Sequence, residues 1–123
     1  MEWRLDGEAP IWAQLVENVK RGIASGLYGP GDRLPTVRDM AVEAGVNPNT
    51  VQRALAELER EGLVYSQRTS GRFVTEDASA VAAVRKELAE AKTRAYLEAM
   101  ADLGYSREEI VSMVDGKSKK EEN

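Results

Sequence analysis

The segment 36–48 constrains the fold more than any other stretch of this chain. Thr36 can cap a helix with its hydroxyl, and Asp39, three residues on, suits a capping box and the positive end of the helix dipole. Met40, Ala41 and Ala44 share one face, and Gly45 supplies a left-handed stop after only about two turns. Val46 is a lone apolar residue placed to plug a core. Asn47 then caps a new helix and Pro48 takes its first position, where a missing N–H costs nothing.

The flanking sequence turns this pair into a recognisable unit. Ile11, Leu15, Val19 and Ile23 recur at helical spacing from Pro10 to Gly26, which predicts a helix over 10–25. Residues 27–35 carry Gly29, Pro30, Gly31 and Pro35 and read as a structured loop. The helix opened by Pro48 runs to about Glu61, buries Val51, Leu55 and Leu58, and stops at Gly62. Residues 63–67 and 72–75 are short runs rich in Val, Tyr, Phe and Thr around a Thr69-Ser70-Gly71 tip, a β-hairpin that needs the helices as its packing surface. Together these elements predict a winged helix-turn-helix.

From Ala78 the composition shifts to Ala, Glu, Lys and Arg, with no Gly or Pro before Gly104. That predicts one helix of about 25 residues. Ser106 with Glu109 forms a capping box for a last short helix ending at Gly116. The expected fold is thus mostly α with a small hairpin: a DNA-binding domain over 1–77, a two-helix dimerisation segment over 78–116 and a disordered charged tail over 117–123. The stripe of Val81, Val84, Leu88, Ala91 and Ala95, continued by Tyr96, Met100, Leu103, Ile110 and Met113, suggests close packing against a second copy of the chain. Packing against the chain's own hydrophobic surface is the alternative.

Composition removes most of the catalytic menu. Among 123 residues there is no Cys and no His, so thiol nucleophiles, imidazole acid–base chemistry and zinc sites built on these ligands are excluded. Glu57 with Glu61, or Glu98 with Asp102, could share a face, yet no further ligand set, base or cofactor loop accompanies them. The sequence therefore predicts no enzyme, no cofactor and no metal. It has no apolar run long enough for a membrane span and no leader-like start, which predicts a cytoplasmic protein.

The net charge of −4 argues mildly against a nucleic-acid partner, and residues 1–77 alone hold 9 basic and 12 acidic side chains. Sorting the third helix by 100° per residue resolves the conflict. Opposite its apolar face lie Asn49, Arg53, Ala56 and Arg60, none of them acidic, while Glu57, Glu59 and Glu61 fall on the flanks. Asn49 can address adenine edges, Arg53 guanine edges or phosphate, and Gln52 at the side of this face is a further base-edge candidate. Arg38, in the first turn of the second helix, is placed for a phosphate, and Arg68 and Arg72 flank the Ser70-Gly71 tip. Arg33, able to pair with Asp32, is the weaker candidate. The plainer alternatives are a solvated helix face and a basic sheet edge that discourages aggregation.

The motifs Pro10-Ile11-Trp12, Gly29-Pro30-Gly31-Asp32-Arg33-Leu34-Pro35, Gly45-Val46-Asn47-Pro48-Asn49-Thr50-Val51, Leu58-Glu59-Arg60-Glu61-Gly62-Leu63 and Phe73-Val74 resemble GntR-family bacterial transcription regulators over residues 3–75. The Asn-Pro-Asn-Thr start and the short C-terminal part are similar to the small YtrA-like branch. The resemblance implies a homodimer joined through the C-terminal helices, repression of its own operon, and DNA contact through Arg38, Asn47, Asn49, Thr50, Arg53 and the wing around Gly71. The chain departs from the family pattern at Thr36, where Ser is commoner, and at Thr69-Ser70-Gly71-Arg72, where Gly-x-Gly-Thr is usual. The C-terminal segment is too short to enclose a typical metabolite pocket within one chain, and no effector is identifiable. The reading is a sequence-specific, double-stranded DNA-binding repressor; the alternative is a winged-helix module whose acidic surface binds a basic protein.

Overall fold

The computed structural model describes residues 1–122, with side chains described for 1–116. Its elements run α1 (Ile11–Ser25), α2 (Val37–Ala44), α3 (Pro48–Arg60), β1 (Val64–Gln67), β2 (Gly71–Val74), α4 (Ala78–Asp102) and α5 (Arg107–Glu122). The chain divides into two compact units, residues 1–86 and 87–123.

In the first unit the caps do what their residue types dictate. Thr36 Oγ1 accepts from the Asp39 amide at 3.1 Å, and Asn47 Oδ1 accepts from the Asn49 amide at 2.7 Å. Gly45 sits at φ +68°, so the chain can reverse between α2 and α3 without the penalty a Cβ would bring. Leu15, Val19 and Ile23 of α1, Met40 of α2, and Val51, Leu55 and Leu58 of α3 form a common core that also takes in Leu34 and Val74.

The strands pair antiparallel with Val64 opposite Val74 and Gln67 opposite Gly71, and Tyr65 stacks on Phe73 across the ladder. The loop at 27–35, read as lacking any element, also bonds to this hairpin. Gly31 N donates to Val74 O, Val74 N to Asp32 O and Leu34 N to Arg72 O, all within 2.9 Å, and Arg33 forms a bridge with Phe73.

Ahead of α1 the chain is irregular, yet it is fastened. The buried Gln14 and Asn18 side chains bond to the backbone of Asp6 and Arg4 in both senses, donating to the carbonyls and accepting from the amides. Trp3 and Leu5 are thereby laid against the core.

α4 begins on Asp77, whose Oδ1 accepts from the Ser79 hydroxyl and amide; these bonds hold its carboxyl below the usual range. The first turns of α4 belong to the first unit: Val84 is buried in its core and Val81 packs against it. Val84 is thus covered by the chain's own core, the alternative the sequence left open, while Val81 stays half-buried. A seven-residue apolar recurrence marks a buried stripe without saying which surface covers it.

The second unit comprises the rest of α4, a turn at Gly104 (φ +90°) and α5. Ser106 and Glu109 form a reciprocal capping box: the Glu109 amide donates to Ser106 Oγ and Glu109 Oε1 accepts from the Ser106 amide. α5 continues through Gly116, where the sequence predicts a stop, to Glu122. Glycine inside a helix costs about 1 kcal/mol relative to alanine and does not by itself end one. The side chains of the charged tail expected over 117–123 lie outside the described residues. Ile110 is buried, whereas Leu103, Val111 and Val114 are more than half exposed. A groove of about 500 Å³ runs between the two helices, lined by Tyr96, Leu97, Ile110, Val111 and Val114 among others.

Candidate nucleic-acid interface

The turn at Gly45 and the buried Val51, Leu55 and Leu58 fix which side of α3 is left outward. Asn49, Gln52, Arg53 and Ala56 are exposed and Thr50 is half-buried. Asn47 is exposed too, but its carbonyl oxygen is committed to the cap, which leaves its amide nitrogen for other partners. Arg38 is exposed on the first turn of α2, and Arg68 is exposed at the hairpin tip; neither forms an ion pair among the described residues.

Two predicted contact residues have partners that sequence reasoning did not foresee. The Arg53 guanidinium lies over the Trp12 ring of α1, 4.3 Å from its centroid. Arg72 is held on α3: its Nε donates to Glu59 Oε1 at 2.9 Å and its Nη2 to Gln52 Oε1 at 3.0 Å, while the Ser66 hydroxyl donates to the same Glu59 oxygen. Arg72 thus braces the wing against the helix. Its neighbour Gly71 adopts φ +107°, and a Cβ there would lie 3.2 Å from Arg33 Nε. Arg33, read as a local partner of Asp32, instead packs on the wing. Asp32 takes its hydrogen bond from the Gly29 amide.

The three glutamates of the α3 segment are each engaged by a cation. Glu57 accepts from Arg60, Glu59 from Arg72, and Glu61 from Lys20 at 2.8 Å. The Arg60 hydrogen bonds hold the Glu57 carboxyl below its ordinary range; for Glu59 the Ser66 hydroxyl is the main cause, with Arg72 adding to it. The acids flanking the exposed face are therefore locally compensated. The bound cost is that Arg60, one of the outward residues, spends its charge on Glu57.

Trp12 was legible only as part of a helix start, and no spacing rule links it to Arg53 across two helices. The described residues contain no group of three or more carboxylates that could hold a metal. None of their helices is long and apolar enough to cross a membrane.

Residues 12–74 match the family model described as bacterial regulatory proteins, gntR family. The HTH-type transcriptional repressor YtrA of Bacillus subtilis is 42% identical over 69 residues, 56% of this chain and 53% of that one. Among solved structures, a GntR family transcriptional regulator from Listeria monocytogenes superposes with a TM-score of 0.82 at 35% identity, covering 91% of this chain and 98% of its own. AraR(DBD) in complex with operator ORX1 matches 61% of this chain and 96% of that one, with a TM-score of 0.56 and 29% identity. The chain therefore belongs to the gntR family of bacterial regulatory proteins, which are DNA-binding transcriptional regulators rather than enzymes, with YtrA-like relatives.

Proposed function

We propose that this protein is a sequence-specific repressor of its own operon, acting in the cytoplasm as a homodimer on a palindrome-like operator. α3 enters the major groove with Asn49, Gln52 and Arg53 toward base edges, and Ala56 lets the helix sit deep. Arg38, Asn47, Thr50 and the wing residues Arg68 and Gly71 contact the backbone or minor groove. The observation that carries this reading is the acid-free outward face of α3, with each flanking glutamate tied to a cation. An acidic chain can then approach a polyanion through one compensated face.

The dimer is supported by the apolar surface of the second unit, where Tyr96, Leu103, Val111, Met113 and Val114 are all exposed. Leu88 and Met100 are half-buried, and Ala91 and Ala95 are small enough for close helix approach. Two copies related by a two-fold axis present two α3 helices, which matches a palindrome-like site. The operator-bound AraR(DBD) and the repressor YtrA lend support by similarity.

The test is a fluorescence anisotropy titration of the promoter region of its own operon, run at two salt concentrations against random duplex. Saturable binding that prefers the promoter and weakens with salt is expected. No specific binding at low salt would overturn the reading and favour a module that binds a basic protein.

A further inference from the structure

The glutamates beside α3 also govern how much of the nearby basic charge reaches DNA, a role that rests on the DNA-binding reading above. Binding to random duplex is almost wholly electrostatic: each phosphate neutralised by a cation releases a counterion and steepens the salt dependence. A cation already neutralised by a carboxylate of its own chain adds little to this. Arg38, Arg53 and Arg68 form no ion pair among the described residues, whereas Lys20, Arg60 and Arg72 are each tied to a glutamate.

The three pairs differ in place and exposure. Lys20 belongs to α1 and meets Glu61 just past the end of α3, away from the N-terminal turns that enter a groove. The Arg60 side chain is 71% exposed, so water and salt screen its bond to Glu57. The Arg72 and Glu59 side chains are only 28% and 33% exposed, and the Ser66 hydroxyl fastens Glu59 a second time. Arg72 follows Gly71 of the wing, and its Nη2 reaches Gln52 on α3. A duplex that touches both elements therefore passes Arg72. We propose that Glu59 sets specificity through Arg72: the neutral pair withdraws one cation from the phosphate backbone, which holds down binding to random duplex, and it keeps the wing in register with α3, which a cognate site rewards. Glu59 is then a positioning residue that touches neither base nor phosphate. With a neutral acceptor in its place the bond to Arg72 weakens and the cation is unmasked.

The experiment measures Kd of the full chain on promoter and random duplex between about 50 and 200 mM salt, for wild type and variants. Glu59→Gln removes the charge while its amide oxygen still accepts from Ser66 and Arg72. Glu59→Ala carries the same expectations and serves where Glu59→Gln fails to fold. Either should bind random duplex about threefold tighter at the lower salt, steepen the slope of log Kd against log salt by about 0.9, and leave the promoter no tighter, so that the preference for it falls about threefold. Random-duplex binding and slope both unmoved, or promoter and random duplex tightening equally, overturns the inference and leaves the DNA-binding reading standing. Glu59→Gln with Arg72→Met keeps the net charge of −4 and should keep the wild-type slope. A slope shallower by about 0.9 in that double variant would show that Arg72 leaves Glu59 for a phosphate in wild type, which also overturns it. Glu17→Gln makes the same charge change at an exposed position of α1 and should move neither quantity; an equal steepening would assign the effect to net charge and reject the role of Glu59. No preference of wild type for the promoter at any salt overturns the DNA-binding reading, and the inference with it.

Discussion

Arg53 offers the most direct test of how α3 works. Its guanidinium lies over Trp12 with 4.3 Å to the ring centroid, an arrangement worth about 0.5–1 kcal/mol at an exposed site. The attraction acts between the cation and the face of the ring and consumes no N–H donor, so the guanidinium edge remains available for a base. Trp12 is then a platform that removes rotamer freedom before binding. Arg53→Ala should cost about 1–3 kcal/mol at the selected site, roughly 5- to 150-fold in Kd, and much less on random duplex. Trp12→Leu, which keeps apolar bulk and loses the ring, should cost about 0.5–1 kcal/mol, roughly two- to fivefold. In an Arg53→Ala background, Trp12→Leu should add nothing, because the platform has no cation to hold. The assay is anisotropy on both duplexes with all four members of the cycle, after thermal melts establish that each is folded. Equal losses on cognate and random DNA would place Arg53 on phosphate. A Trp12→Leu penalty that persists without Arg53 would refute the platform argument.

Two further outcomes are expected. Val111→Lys with Val114→Lys, at positions more than half exposed on α5, should convert a dimer to a monomer by light scattering at about tens of micromolar without lowering the melting temperature of the winged unit; a monomeric wild type would refute the dimer. Glu59 has its pKa lowered from 4.5, chiefly by Ser66, so its contribution to stability is complete above that value and is lost as pH falls through the depressed folded value. The stability gap between wild type and Glu59→Gln should therefore narrow as pH falls below 4.5 in urea titrations, and a constant gap would count against the hydrogen bonds that Ser66 and Arg72 donate to this carboxylate.

Much of the winged unit is legible because its signals are local. Thr36, Gly45, Asn47 and Pro48 each dictate backbone geometry within four residues, and the structure forms the corresponding caps and turn. The capping box of Ser106 and Glu109 is legible for the same reason. What escaped depends on contacts distant in sequence. A helical wheel puts Arg53 and Gln52 outward but cannot say that Trp12 lies beneath one or that Arg72 reaches the other from a different element. Val84 shows the same limit in the core, since periodicity gave its stripe and not the surface that covers it. The burial of Gln14 and Asn18 is not legible in the sequence, because polar residues on a helix ordinarily face water; here they are buried by the backbone they bind.

The loop that bonds to β2 also determines how safely the wing can be displayed. A two-stranded hairpin has two free edges, each able to recruit a strand from another molecule. Here Gly31, Asp32 and Leu34 close the β2 edge with backbone hydrogen bonds, which leaves, among the described residues, the short β1 edge ending in Ser66 and Gln67. Wings that meet in a concentrated solution of the protein thus have little tendency to zip into a shared sheet.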